Sequence, residues 1–146
     1  MFYGEHDHKL DKKGRIIIPS AFREASKENY VEKFFITRGL DTCLFMFPEE
    51  EWRNQEAKFR ALPFTKRETR KFNRLFFSGA TPVVPDKQGR ILVPAYLKSY
   101  ANIKKEIMLI GVSNRIEIWS RENWKEFYAT SKESFEDVAE KLMDLE

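Results

Sequence analysis

The chain has 146 residues, of which 42% are hydrophobic and 34% are charged, so it can bury a core without metals or disulfides. No stretch approaches the roughly 18 apolar residues of a membrane span, and no charged-then-apolar leader opens the sequence. The single cysteine, Cys43, has no partner for a disulfide or a paired-cysteine site. These features argue against membrane and disulfide-stapled classes and predict a soluble, cytoplasmic protein.

The formal net charge of +3 is concentrated in one part of the chain. Residues 65–85 contain five Lys or Arg and one Glu, whereas residues 1–64 are neutral and residues 86–146 carry a net −1. Concentrated positive charge is typical of a protein that binds a polyanion, and also of an ordinary solvated helix face. Charge alone leaves both interpretations open.

The first predicted element is a strand, on which His6 and His8 alternate and therefore share a face. Two histidines suit a metal in principle, but no third ligand follows at a recognisable spacing. We interpret both as ordinary strand residues and predict no metal and no cofactor.

A nine-residue motif occurs twice. Residues 11–19, DKKGRIIIP, return as residues 86–94, DKQGRILVP, at an offset of 75 with conservative changes. Further along the offset becomes 72, because Trp119 answers Phe47 and Trp124 answers Trp52. The period exceeds that of solenoids, and two copies are too few for a stacked array. The duplication therefore predicts two half-domains that share one core.

In the first copy, an apolar strand follows the motif's turn, and a short amphipathic helix is predicted over residues 21–26. A hairpin of strands over 34–38 and 43–47 comes next. A helix then begins near Pro48, a residue that suits the first helical position.

Residues 65–77 predict a basic connector helix, with Thr65 and Glu68 as a capping box. At 100° per residue one broad face gathers its five cations. These are Lys66, Arg67, Arg70, Lys71 and Arg74, and the opposite face is predicted to carry Phe72, Leu75 and Phe76. The basic face is a candidate contact to DNA flanks or to a neighbouring subunit.

The second copy predicts a helix over 95–100 and strands over 107–112 and 115–119, joined where Asn114 tolerates a positive φ. Ser120 is a good cap for the closing helix. The aromatic stripe of that helix is predicted to be core, and it consists of Trp124, Phe127 and Tyr128.

The tail, residues 131–146, predicts a further amphipathic helix with six acidic residues and two lysines. The resulting organisation has four parts within one α+β fold whose core is mainly β. They are a first repeat over 1–64, a connector over 65–79, a second repeat over 80–130 and the acidic helix over 131–146.

The repeated Asp-x-x-Gly pattern predicts a turn in which Asp11 or Asp86 bonds the backbone two residues on. Gly14 and Gly89 then take the left-handed position before the strand. Turn chemistry does not account for Arg15 and Arg90. Each arginine can pair with the Asp four residues earlier, or face a phosphate or base edge beside Lys12, Lys13 and Lys87, and both roles can hold together.

Three features together resemble the MraZ family, a relative of AbrB/SpoVT-type regulators. They are the doubled motif, the opening Met1-Phe2-Tyr3-Gly4 and the segment Arg74-Leu75-Phe76-Phe77-Ser78-Gly79-Ala80. The resemblance covers nearly the whole chain except the acidic tail.

The resemblance implies a pseudo-twofold swapped-hairpin β-barrel made by two repeats within one chain, with flanking helices. It also implies a ring-shaped homo-oligomer and a bacterial transcription factor associated with the nucleoid. Such a protein binds short tandem DNA repeats upstream of the operon for division and cell-wall synthesis that includes its own gene. The family's D-x-x-x-R contacts carry over to Asp11 with Arg15 and to Asp86 with Arg90.

The two turns differ at one position, where Gln88 replaces Lys13. If both turns contact DNA, we expect the first to contribute more to the salt dependence, by about one phosphate contact. No catalytic motif is recognisable, so we predict neither an enzyme nor a small-molecule substrate. The alternative function is an interaction module of the antitoxin or scaffold type, for which the acidic amphipathic tail would fold on a protein partner.

Overall fold

Strand-forming and helix-forming segments follow one another in the same order in both halves of the chain, and a computed structural model describes residues 1–144. The strands are β1 (Phe2–Lys9), β2 (Arg15–Ile17), β3 (Phe34–Arg38), β4 (Leu44–Pro48), β5 (Thr81–Val83), β6 (Arg90–Leu92), β7 (Glu106–Ser113) and β8 (Arg115–Ser120). The helices are α1 (Ser20–Glu28), α2 (Glu49–Arg60), α3 (Arg67–Gly79), α4 (Ala95–Tyr100), α5 (Arg121–Ser131) and α6 (Phe135–Met143), with a 3-10 turn (Lys132–Ser134) before α6. Within residues 1–144 no helix is long and apolar enough to cross a bilayer.

Two antiparallel sheets organise the fold. The larger has six strands in the order β1-β7-β8-β4-β3-β5, and the smaller is a two-stranded ribbon of β2 and β6. The predicted hairpins are confirmed as β3 with β4 and β7 with β8. The mixed α and β composition and the mainly antiparallel pairing agree with the expected fold class.

Neither sheet formed by residues 1–144 closes on itself, because β1 and β5 are the two edges of the six-stranded sheet. The hydrogen bonding therefore does not confirm the expected closed barrel. The two halves nevertheless share one core. Residues of both repeats are buried in the same cluster, among them Ile16, Phe22, Ile91 and Leu97.

The ribbon joins the two motif copies in a symmetric register. Ile16 of β2 lies opposite Ile91 of β6, with Arg15 opposite Leu92 and Ile17 opposite Arg90. Because strand side chains alternate, both central isoleucines point into the core and their neighbours point outward. The two arginine turns consequently lie at opposite ends of one short ribbon.

The basic connector helix starts later than predicted. Lys66 is the residue before α3 and no side chain caps the helix, so the predicted capping box of Thr65 and Glu68 is wrong. The loop is held instead by Arg70, whose Nη1 donates to the carbonyls of Phe64 and Thr65 at 3.0 and 2.9 Å. The first turn of α3 is therefore fixed by one of the five predicted cations.

The far end of α3 is anchored by Arg38 of β3. Its Nη1 donates to the carbonyl of Leu75 at 2.8 Å and to Oγ of Ser78 at 3.0 Å. A cation at a helix C-terminus also complements the helix dipole. Leu75 itself is 51% exposed, so its predicted place opposite the cations is wrong. Leu75 follows Arg67 by eight residues, which at 100° each is 80° beyond two full turns of the helical wheel. Leu75 therefore lies beside the cations.

The equivalent tryptophans of the two repeats differ in burial. Trp52 is buried, because Phe76 of α3 and Phe35 of β3 both stack on it, with ring centroids 5.4 and 5.1 Å away. In the second copy the helix that follows α5 is α6, and it packs mainly against the preceding 3-10 turn. The predicted core stripe of α5 is wrong for Phe127 and Tyr128, which are 38% and 50% exposed. Trp124 is half-buried and packs against the cluster that contains Trp119.

Two local predictions at the second hairpin have different outcomes. Ser120 caps α5 as predicted, since its Oγ accepts from the backbone N–H of Asn123 at 3.1 Å. The positive φ of the hairpin turn belongs to Ser113 (64°) and not to Asn114. Asn114 instead donates to Oε1 of Glu51 on α2 at 3.1 Å, which links the two repeats.

Candidate nucleic-acid interface

The two arginine turns have the same geometry. In the first, Oδ1 of Asp11 accepts from the backbone N–H groups of Lys13 and Arg15, both at 2.9 Å. In the second, Oδ1 of Asp86 accepts from Gln88 and Arg90 at the same distance. Gly14 and Gly89 both have φ +78°, the left-handed value that glycine adopts without strain. The predicted turn chemistry is confirmed in both copies.

Each aspartate also holds the arginine four residues later. Nε of Arg15 donates to Oδ2 of Asp11 at 2.7 Å, and Nε of Arg90 donates to Oδ2 of Asp86 at 2.8 Å. The pairs are partly exposed and screened by solvent, so they contribute little to stability. Their main consequence is orientation, because the aspartate fixes Nε and does not engage the two terminal amino groups of the arginine.

Hydrogen bonding lowers the pKa of both aspartates. For Asp11 the largest cause is the backbone N–H of Arg15, followed by the Arg15 side chain and the N–H of Lys13. The pKa of Asp86 is lowered in the same way by Arg90 and Gln88. Both carboxylates are therefore ionised at neutral pH and remain hydrogen-bond acceptors for the turn.

The lowered pKa values predict the acid stability of the turns. A carboxyl whose pKa falls on folding stabilises the fold above its unfolded pKa and loses that contribution as pH drops through the folded pKa. We expect carboxyl carbon NMR titrations of Asp11 and Asp86 to have lower midpoints in the folded chain than in the urea-unfolded chain. A folded midpoint equal to or above the unfolded one would contradict this geometry.

Each turn is held by the opposite repeat. The carbonyl of Gly14 accepts from the N–H of Val93 at 3.2 Å, and the carbonyl of Gly89 accepts from the N–H of Ile18 at 2.9 Å. The position and direction of each arginine thus depend on the pairing of the two repeats. One repeat alone lacks the partner strand that fixes its turn.

Sequence reasoning missed two cations that this exchange brings to the turns. A Cβ placed on Gly14 would lie 2.8 Å from Nζ of Lys98 on α4, and one placed on Gly89 would lie 2.8 Å from Cδ of Arg23 on α1. Lys98 follows Arg23 by the motif's own offset of 75 residues. The offset marks the two cations as equivalent in sequence. It does not predict that each helix reaches the turn of the other copy.

The two turns differ in the free donors of their arginines. Oε1 of Gln88 accepts from Nη2 of Arg90 at 3.1 Å, whereas the first turn has Lys13 at this position. Within residues 1–144 no side chain engages a terminal amino group of Arg15. The first turn therefore offers both more positive charge and a freer guanidinium group.

The remaining predicted basic residues are surface groups. Lys12, Lys13 and Lys87 are exposed around the turns. On α3, four of the cations are exposed and Arg70 is half-buried, and they form a second basic surface on a helix that packs against β3. The structure thus brings the Asp and Arg residues of each turn together and assigns the α3 cations to a different element.

Other polar features form no metal centre among the described residues. No group of three His, Cys, Asp or Glu side chains in residues 1–144 is placed to hold a metal ion. His6 packs edge-on against Phe22, with ring centroids 4.7 Å apart. The charged side chains that line a cleft of about 600 Å³ are four glutamates, Glu32, Glu49, Glu50 and Glu51, and one lysine, Lys33. This acidic lining opposes the binding of phosphate groups.

The fold and the paired turns define a class of protein, the two-repeat β protein that presents a symmetric pair of aspartate-held arginines on one ribbon. Residues 1–75 and 76–146 each match the sequence model of one family, described as "MraZ protein, putative antitoxin-like". The chain belongs to the MraZ family, with one family unit in each half. Membership of this family indicates a regulator-like role, because the family is not a family of enzymes.

Proposed function

We propose that this protein is a sequence-specific DNA-binding transcriptional regulator that contacts double-stranded DNA through its two arginine turns. One observation carries the proposal: two aspartate-held arginines, Arg15 and Arg90, lie at opposite ends of one outward-facing ribbon. The major groove accommodates a two-stranded ribbon, and arginine is the most frequent donor to guanine there. Lys12, Lys13 and Lys87 would contact the flanking phosphates.

The exchange of hydrogen bonds at Gly14 and Gly89 also supports the swapped-hairpin arrangement that the family implies. Pairing within one chain gives the molecule two reading turns without a second chain. The aspartates orient both guanidinium groups before DNA arrives, which lowers the entropy lost on binding.

The target we propose is a set of short tandem repeats upstream of the protein's own operon, the operon for division and cell-wall synthesis. A ring of subunits would present many arginine turns together, so individually weak contacts would add up through multivalency. Such a regulator would work at the nucleoid in the cytoplasm.

Fluorescence anisotropy tests this function with three duplexes: the upstream tandem repeats, one isolated repeat and a scrambled sequence of equal length. We expect tight binding to the array, about 10²–10⁴-fold weaker binding to the single repeat, and only salt-sensitive background binding to the scrambled DNA. Equal affinity for the single repeat and the array would exclude the multivalent mechanism. Equal affinity for array and scrambled DNA would exclude sequence-specific recognition.

The basic surface of α3 is proposed as a contact between neighbouring subunits of the ring. Lys66 and Arg67 lie at the N-terminus of α3, where cations oppose the helix dipole, so helix stability does not explain them. Tail helix α6 supplies the complementary surface, because it carries Glu136, Asp137 and Glu140. Opposite charges on the two helices would fix the register between subunits.

Replacing Lys66, Arg67 and Lys71 together with Glu is expected to reduce the oligomer mass measured by light scattering. The matched control replaces Lys27, Lys104 and Lys125 with Glu, which changes the charge equally at three other exposed positions. An unchanged mass combined with weaker DNA binding would assign α3 to the DNA flanks instead.

A second candidate function, the protein-interaction module, is favoured by the apolar surface of the tail. Phe135, Val138 and Leu142 are exposed on α6, which packs mainly against the preceding 3-10 turn. An exposed amphipathic helix of this kind can bind a groove on a partner. A chain ending at residue 131 that keeps DNA binding and oligomer mass but no longer binds a partner of the full chain would support this function.

A further inference from the structure

The outward face of the ribbon carries two apolar side chains beside the two arginines. Ile17 is 47% exposed and Leu92 is 56% exposed, although their strand neighbours Ile16 and Ile91 are buried in the core. The outward position of a strand next to water ordinarily holds a polar residue. The two positions are related by the offset of 75 residues, so both repeats place a branched aliphatic side chain at the same site.

Register places each apolar side chain next to the arginine of the other repeat. Leu92 lies opposite Arg15, and Ile17 lies opposite Arg90. A Cβ placed on Gly14 would lie 4.0 Å from Cδ1 of Leu92, which confirms that this side chain borders the first turn. Each turn therefore combines an arginine from one repeat with an aliphatic group from the other.

The core does not explain these side chains. On β2 and β6 the inward side chains are Ile16 and Ile91, while Ile17 and Leu92 face away from the buried cluster. A hydrocarbon side chain also cannot bond to a phosphate, so neither residue adds to electrostatic binding of DNA. A ligand that presents an apolar group beside a hydrogen-bonding edge can contact both the aliphatic side chain and the arginine of each pair.

We propose that Ile17 and Leu92 contact the C5-methyl groups of thymines in the major groove, next to the bases contacted by Arg90 and Arg15. This inference rests on the proposed DNA-binding function. Of the four bases, thymine alone presents a methyl group in the major groove, and aliphatic side chains contact it there. Opposed side chains in a ribbon are about 4.5–5.5 Å apart at Cβ, comparable to the rise of about 3.4 Å between stacked bases. One arginine and its opposed aliphatic group can thus contact neighbouring base pairs.

Uracil substitution tests the proposal, because uracil lacks only the methyl group of thymine and keeps the same pairing edge. The probes are two synthetic duplexes of the upstream tandem repeats, one with thymine and one with uracil throughout. The wild-type protein is expected to bind the uracil duplex about fourfold more weakly for each methyl contact. The Ile17→Ala/Leu92→Ala variant is expected to bind both duplexes with the same reduced affinity.

The matched control variant is Leu40→Ala/Leu62→Ala, which removes two aliphatic side chains that are 60% and 42% exposed elsewhere. It should keep the wild-type preference for thymine. Urea unfolding of both variants should match the wild type, because none of the four side chains is buried.

The outcomes separate this inference from the proposed function. If the wild type prefers the tandem repeats to scrambled DNA but binds thymine and uracil duplexes equally, the methyl contacts are excluded and DNA recognition stands. If the Ile17→Ala/Leu92→Ala variant still discriminates thymine from uracil, other residues contact the methyl groups and the assignment is overturned. If the wild type does not discriminate the tandem repeats from scrambled DNA, the proposed function itself fails.

Discussion

Alanine at both Arg15 and Arg90 is expected to abolish specific DNA binding in a protein that remains folded. A bidentate arginine–guanine contact contributes about 1–3 kcal/mol of discrimination, which corresponds to roughly 5–150-fold in affinity for each turn. Fluorescence anisotropy with the upstream tandem repeats and with scrambled DNA, measured across salt concentrations, gives both the affinity and the specificity ratio. The preference for the tandem repeats should disappear.

The fold should tolerate this double substitution, because Asp11 and Asp86 keep the hydrogen bonds from their own turn backbones. Arg53→Ala is the matched control, since it removes a 72% exposed arginine side chain from α2, away from the ribbon. An Arg15→Lys/Arg90→Lys variant separates charge from geometry, because lysine keeps the charge but lacks the planar fork. Full specificity in the lysine variant would show that the arginines act only as charges.

Local sequence chemistry determines the turns, and they could be predicted from the sequence. Asp11 and Gly14 act through bonds and backbone angles within five residues, and the same is true of Asp86 and Gly89. The strands and short helices that flank the turns also follow from local periodicity. What the pattern could not give was the position of Lys98 and Arg23, because each belongs to a helix that reaches the turn of the other repeat.

The burial of equivalent residues depends on which element covers each of them. Trp52 and Trp124 occupy matching positions, yet only Trp52 is buried, because α3 supplies Phe76 to cover it. Helical periodicity identifies an apolar stripe but does not say whether another element covers it. Phe127 and Tyr128 of the α5 stripe were therefore wrongly predicted to be core. The start of α3 was missed for a related reason, since Arg70 fixes the loop that a capping box was expected to fix.

Two adjacent isoleucines of the ribbon, Ile16 and Ile17, are expected to have different roles, one in stability and the other in DNA binding. Ile16 is fully buried opposite Ile91, whereas Ile17 faces outward. We expect Ile16→Ala to lower the free energy of unfolding by about 2–5 kcal/mol, and Ile17→Ala to change it by less than about 0.5 kcal/mol. Urea unfolding at fixed protein concentration, followed by tryptophan fluorescence, measures both. Equal effects at the two positions would contradict the inward and outward assignment of the ribbon.

The same measurement tests whether the two repeats form one cooperative unit. Ile16 belongs to the first copy and Ile91 to the second, and they face each other across the ribbon that orients both arginine turns. Residues in contact show coupling energies of about 0.5–3 kcal/mol in a double-mutant cycle, whereas independent sites add within about 0.5 kcal/mol. We therefore expect the Ile16→Ala/Ile91→Ala variant to depart from the sum of the single variants. Additive effects would mean that each repeat is stabilised separately. The pairing of β2 with β6 would then not fix the spacing of the two arginines on DNA.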